Sequence, residues 1–393
     1  MERLIYFDHN STTPYSPSVS KYLKQDSVED WYNPSSVYPS AQVLYQRIRE
    51  SREFIANHLN CSPKHLFFTS GGTESINTIL SVETLKLNQL FTCITSHLEH
   101  HATIKKIDCL SKNSNIKICW VSNNEQGEVN LDDLEATCSK HPHSLLSFLS
   151  ANNETGVITD IQAVSKIARK YDCLVHVDAV QSLGKTSIDL EKLDVDFASF
   201  SGHKIGAMKG IGLLYARKLF APLMYGGGQE RGLRPGTHNY PAIQSVKLAV
   251  QDIDLNKQNY VKKLRDYLEQ TLSSVSNSST IKINCNKANR LPNTSNIYCG
   301  GISNQTIILA LAKKGIYISE GSACNAGSPE PSHVITNLNV DSSSSHKDYA
   351  RSCIRVSLSP SNTKEEIDSL IKSLPELVSS LSYVNTNPPV QSA

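Results

Sequence analysis

The chain has 393 residues, with 39% hydrophobic and 19% charged side chains, which suits two apolar cores and excludes a disordered or membrane-embedded chain. Its formal net charge of +2 gives no reason to expect a surface that coats nucleic acid, though a local basic patch is compatible with it. The opening MERLIYFDHN has neither the apolar run of a secretory signal nor the acid-poor character of a transit peptide. No stretch reaches the roughly 18–20 apolar residues that span a bilayer, so the expectation is a cytoplasmic protein with no membrane partner and no direct nucleic-acid contact.

Residues 40–59 place Leu44, Ile48, Ile55 and Leu59 at helical spacing with charges between them. The β-prone run HLFFTS follows, and GGTES then leads into INTILSVETLKL, one helix-like stretch. Further apolar runs at CITS, IKICWVS, SLLSFLS, CLVHVDAV, DFASFS and GIGLLYA alternate with helical patterns such as IQAVSKIARKY. That alternation predicts an α/β fold with a largely parallel sheet and helices on both faces. Near residue 250 the pattern changes. An amphipathic helix over 256–276 precedes two short strands (TIKINC and TSNIYC), the helix NQTIILALAKKG and a Ser/Pro-rich EGSACNAGSPEPSH. A strand, CIRVSLS, and a helix, KEEIDSLIKSLPELV, close the pattern. The expected division is a large α/β domain over 14–255, a small α+β domain from 1–13 and 256–383, and a tail over 384–393.

Ten cysteines are scattered without a CxxC pair, against a zinc knuckle or a disulfide scaffold. Most read as buried thiols.

Four stretches carry chemistry. In SFSGHKIGAMKGIG, Lys204 follows a β-run, where open α/β sheets bind ligands, and a lysine amine there can hold pyridoxal phosphate as a Schiff base. Alone, it reads more simply as a surface lysine. In CLVHVDAVQS, Asp178 ends an apolar strand, 26 residues before Lys204. A carboxylate there needs a cation or donor, such as a pyridinium nitrogen, although a helix cap or salt bridge is common. TSGGTES offers free N–H groups to an anion between strand and helix, with Gly72 and Thr73 in the turn and Ser201 and His203 as further donors. SHLEHHA holds His97, His100 and His101 without a zinc-protease pattern, so a ring stacked on a flat cofactor explains one histidine better than a metal does.

Taken with YFDHNSTTP, YNPSS, ANNETGVITDI, GGGQERGLRPGTHN, PNTSNIYC, GSAC, EPSHV and IRVSLS, these stretches resemble the cysteine desulfurase family from about residue 4 to about residue 380, in the family's order and spacing. The resemblance implies a fold-type I pyridoxal-phosphate homodimer with a mostly parallel seven-stranded sheet. Lys204 would carry the cofactor, His100 stack on its ring and Asp178 pair with the ring nitrogen. Asn153 and Gln181 would sit near the phenolic oxygen or the substrate. Gly72, Thr73, Ser201 and His203 would bind the phosphate, joined by Thr237 of the neighbouring subunit. Arg355 and Asn33 would grip the carboxylate of L-cysteine, a guanidinium being suited to a bidentate bond. Cys324, in a loop over about 320–333, would take the sulfur as a persulfide for an acceptor, either an iron–sulfur scaffold or a tRNA-thiolation protein. Such a thiol needs activation, by His100 or by the substrate, because little of it is thiolate near pH 7.

Three positions depart from the family pattern. HKIGAMKG lacks the proline of HKxxGPKG, Glu320 precedes GSAC where a small residue is usual, and NSTTP replaces ATTP; the stretch 340–350 is also less apolar than is usual. A selenocysteine lyase or class V aminotransferase would share Lys204 and Asp178, and a silent scaffold homologue would need neither. A Rossmann dehydrogenase is disfavoured by the missing GxGxxG.

Overall fold

The structure, a computed structural model, describes residues 4–25, 31–275, 280–321, 330–338 and 346–386. Twelve strands occur among them: β1 (Ile5–Tyr6), β2 (Leu66–Thr69), β3 (Thr92–Ser96), β4 (Lys117–Val121), β5 (Leu145–Leu149), β6 (Leu174–Asp178), β7 (Phe197–Ser201), β8 (Gly212–Ala216), β9 (Ile281–Ile283), β10 (Thr294–Cys299), β11 (Ile316–Tyr317) and β12 (Cys353–Ser357). Seven of them form the main sheet, in the order β2-β8-β7-β6-β5-β3-β4. β8 runs antiparallel to both of its neighbours, and the other pairings are parallel.

Alternation along these strands feeds two cores, because successive side chains leave opposite faces. Leu146, Phe148, Ala198, Phe200, Leu213 and Tyr215 join one apolar cluster, while Leu145, Phe197, Leu214 and Ala216 join another. A third core, with Phe7, Leu268, Ile297, Ile354 and Val356, covers the three-stranded sheet β12-β10-β9.

Most sequence-predicted elements are present with shifted ends. The helix Pro39–His58 starts with proline in its first turn, where no N–H is missed, and buries Leu44, Ile48 and Ile55. INTILSVETLKL is not one helix. It breaks into Gly72–Ile79 and Val82–Leu87 because the Ser81 hydroxyl accepts the Thr84 N–H at 3.1 Å and caps the second piece. The two-residue strands β1 and β11, paired in parallel, have no periodicity to announce them. The last helix runs from Lys364 to Thr386, into the stretch expected to be tail. No described helix is long and apolar enough to cross a membrane.

Candidate functional site

Three neighbouring strands end beside one another, with Leu149 opposite Asp178 in register and Asp178 opposite Ser199, two residues before Ser201. Leu149, Asp178 and Ser201 therefore face one cavity of about 240 Å³ beyond the carboxyl ends of the strands. Gly72, Thr73, His100, Asn153, Gln181, His203, Lys204 and Arg355 also line it. Every predicted site residue except Asn33, Thr237 and Cys324 therefore lines the cavity. Asn33 and Thr237 are exposed elsewhere on the chain. Cys324 lies outside the described residues.

Lys204 sits in the turn Gly202–Ile205 directly after β7. The turn closes on Gly206 at φ +85°, where a Cβ would come within 2.7 Å of Ser16 N and 2.9 Å of Pro14 O, so only glycine lets the N-terminal segment approach. That approach supplies acceptors: Lys204 Nζ donates to the carbonyls of Asn10 at 2.6 Å and Ser11 at 2.7 Å. Where the family pattern has proline, the Met208 N–H donates to Ser245 Oγ at 3.0 Å, a bond proline could not make.

Asp178 is buried, and its carboxylate accepts the Val180 N–H at 3.0 Å. Burial pushes its pKa up to about 6, against the opposing pull of that N–H and of Lys204. His100 caps the helix His101–Asn113, its Nδ1 accepting the Ala102 N–H at 3.1 Å, which leaves the ring's proton on Nε2. Burial and the nearby Lys204 lower its pKa to about 4, and His203 is lowered to about 4 for the same reasons. Both rings are neutral at pH 7. Of the other two histidines in SHLEHHA, His97 stacks on Trp120 with centroids 4.0 Å apart, and His101 packs against His333.

The helix Gly72–Ile79 begins at the cavity, which Gly72 and Thr73 line, and a Cβ on Gly72 would meet Val180 Cγ2 at 2.6 Å. Arg355, 1% exposed, is held by Asp8 Oδ1 and Ser11 Oγ, each 2.7 Å from Nη2, and by the carbonyls of Asn153 and Gly321 on Nη1. The Ser11 hydroxyl, at the NSTTP departure, thus contacts the guanidinium directly. Glu320 is half-buried, and burial beside Glu154 raises its pKa.

Sequence reasoning missed Asn10, Glu154, Lys185 and His333. Asn10, Glu154 and His333 line the cavity, and Lys185 reaches its wall through Gln181. Asn10, Glu154 and His333 sit inside YFDHNSTTP, ANNETGVITDI and EPSHV, and Lys185 lies just after CLVHVDAVQS, but only the fold brings Asn10 to Gln181 across 171 positions.

The donor set fits pyridoxal phosphate. Among the described residues Asn153 Oδ1 is buried with no partner, Asp178 is a buried carboxylate with no cation in an ion pair with it, and Lys204 lines the same cavity. A lysine amine, a buried carboxylate and a guanidinium around one cavity define a class of enzyme that carries an aldehyde cofactor and handles amino acids. The chain belongs to the Aminotransferase class-V family, whose model matches residues 5–370 and whose members depend on pyridoxal phosphate. It is 36% identical to a protein named cysteine desulfurase from Nostoc sp. over 96% of this chain and 94% of the relative. It is 34% identical to the cysteine desulfurase IscS of Dictyoglomus turgidum, over 98% and 97%. Among solved structures, a NifS-like protein aligns with TM-score 0.85 and 34% identity, over 96% of this chain and all of that one.

Proposed function

We propose that this chain is a cysteine desulfurase that works as a cytoplasmic homodimer, converts L-cysteine to L-alanine and leaves the sulfur as a persulfide on Cys324. The observation that carries the reading is the meeting of Lys204, Asp178 and Arg355 at one cavity, in a chain similar end to end to proteins of that name. Pyridoxal phosphate, when bound, supplies the electron sink for carbanion chemistry at the substrate's α-carbon.

Lys204 holds the cofactor and afterwards moves the Cα proton at Nζ. Asp178 would hold the ring nitrogen, and a cation there would relieve the cost of burying its charge. His100, neutral and with its proton on Nε2, would lie against the cofactor ring. The turn at Gly72 and Thr73, with Ser201 and His203, takes the phosphate. Asn153 and Gln181 would stand near the phenolic oxygen, and Arg355 would orient the substrate carboxylate. The Cys324 thiolate then forms an S–S bond as the substrate C–S bond breaks, the bonding pair remaining with the substrate carbon. An acceptor protein, of iron–sulfur assembly or tRNA thiolation, removes the sulfur.

The direct test is incubation with L-cysteine, measuring alanine and sulfide. Cys324→Ala is expected to abolish persulfide and sulfide release while the protein still takes up the yellow cofactor. Unchanged turnover in that variant points instead to an aminotransferase or lyase that needs no thiol.

A second copy supplies Thr237 in this reading. Trp31, Val37, Leu219 and Tyr225 are 72%, 92%, 71% and 83% exposed on a single chain, and Ser35, Tyr45, Gly228 and Gln229 line one groove. Apolar exposure of that extent suits a covered interface. Sedimentation velocity is expected to give a dimer mass; a stable monomer with full activity sinks the shared site.

A further inference from the structure

Behind the cavity wall, Lys185 makes an arrangement that the reaction as described leaves unused. Its Nζ donates to two side-chain carbonyls, Gln181 Oε1 at 2.5 Å and Asn10 Oδ1 at 3.1 Å. No carboxylate forms an ion pair with it among the described residues. Burial, and the charges of Lys204 and Arg355, hold its pKa well below the ordinary lysine range. The two acceptors belong to residues that touch the site. Gln181 Nε2 donates to the Asn10 carbonyl at 3.0 Å, the same oxygen that accepts Lys204 Nζ at 2.6 Å. Asn10 is fixed from its other side, since its Nδ2 donates to Thr294 Oγ1 at 2.8 Å and to the Asn153 carbonyl at 3.2 Å, while Asn293 Nδ2 donates to its Oδ1 at 3.0 Å.

An amide side chain can present either end to a neighbour, and its surroundings decide which. Lys185 Nζ donates to Gln181 Oε1, so the oxygen is the end of the amide that faces it. The amide hydrogens are thereby turned towards the carbonyl that Lys204 uses.

We propose that Lys185 is a positioning residue for Lys204: by donating to Gln181 and Asn10 it keeps the Gln181 amide with its N–H end, not its oxygen, towards the Lys204 nitrogen. The inference rests on the reading of Lys204 as the cofactor-bearing lysine. A donor beside that nitrogen disfavours its protonated form, and an acceptor in the same place favours it. Lys185 therefore influences how readily the Lys204 nitrogen gives up its proton without touching substrate or cofactor.

The experiment uses the holoenzyme and follows the cofactor's absorbance against pH, with no substrate present. In Lys185→Met, which keeps length and loses the donor, Gln181 is free to turn its oxygen inward. The pH midpoint of the absorbance change is expected to rise by about one unit, a tenfold change in the proton equilibrium. Lys185→Arg keeps the donors and adds a permanent charge, so its midpoint is expected at or below that of the unsubstituted protein. A midpoint unchanged in Lys185→Met overturns the proposal. If that variant does not fold, Gln181→Glu serves in its place: a carboxylate cannot donate to Asn10, and the midpoint must again rise. A Gln181→Glu protein with an unmoved midpoint overturns the proposal equally. Failure of the underlying reading looks different, because the unsubstituted protein would then develop no pH-dependent colour at all, and both ideas would fall together.

Discussion

Replacing Lys204 by alanine is expected to lower alanine release from L-cysteine by at least about 10²–10⁴-fold, the range for loss of a positioned acid–base group. The loss of the covalent cofactor link comes on top of that. In the structure, Lys204 Nζ donates to the main-chain carbonyls of Asn10 and Ser11. The Asn10 carbonyl keeps its bond from Gln181 when the amine is removed, so the cost to the fold is of the order of one hydrogen bond, about 1 kcal/mol. Thermal unfolding of Lys204→Ala should accordingly stay close to that of the unsubstituted protein while turnover collapses. Borohydride reduction gives a readout independent of activity. It should fix pyridoxal phosphate irreversibly on the peptide containing Lys204, and on no peptide of Lys204→Ala. The informative alternative is Lys185, the other amine tied to Asn10. Cofactor fixed on the Lys185 peptide of the unsubstituted protein would exchange the roles of the two lysines and sink the assignment.

The reasons Lys204 could be read in the sequence, and Lys185 could not, are physical. Lys204, Asp178 and Gly72 each sit at a strand-to-turn junction, and a period-two apolar run announces such a junction locally. The runs LVHVD and FASFS end at the positions where their strands end. Lys185 is different. Its environment is assembled from Asn10, 175 positions away, and from Gln181 four positions before it. No local pattern distinguishes a lysine so placed from one on a solvated surface. Arg355 lies between these cases. Its strand is legible as CIRVSLS, but its four partners come from Asp8, Ser11, Asn153 and Gly321, which only the packing of β12 brings together. Helix ends show the same limit on a smaller scale. The break at Ser81 depends on one hydroxyl turning to one N–H, and apolar spacing runs straight across it.

Asp178→Asn is expected to act in opposite directions on the empty and the loaded protein. The carboxyl is pushed up to about 6 by burial in the fold, from 3.8 for the unperturbed group. Between those values the folded protein keeps a proton that the unfolded chain has released, so stability falls as pH rises through that window. Above about pH 6 the penalty stands in full, at roughly 3 kcal/mol for a shift of about two units. Asparagine is neutral throughout and retains a carbonyl for the Val180 N–H. The empty Asp178→Asn protein should therefore be the more stable of the two at pH 8, by up to about 3 kcal/mol, with the difference fading below about pH 4. Urea unfolding at the two pH values measures this. In the loaded enzyme the sign is expected to reverse, because a pyridinium cation held by the carboxylate would turn the same buried charge into a stabilising partner, which asparagine could not provide. Turnover is expected to fall by about 10²–10³-fold, the scale of losing one preorganised electrostatic partner. An empty variant that is less stable than the unsubstituted protein at pH 8 would mean that Asp178 already has its cation within the chain. The cavity would then not be arranged around a missing positive charge, and the case for a ring nitrogen at that position would fail with it.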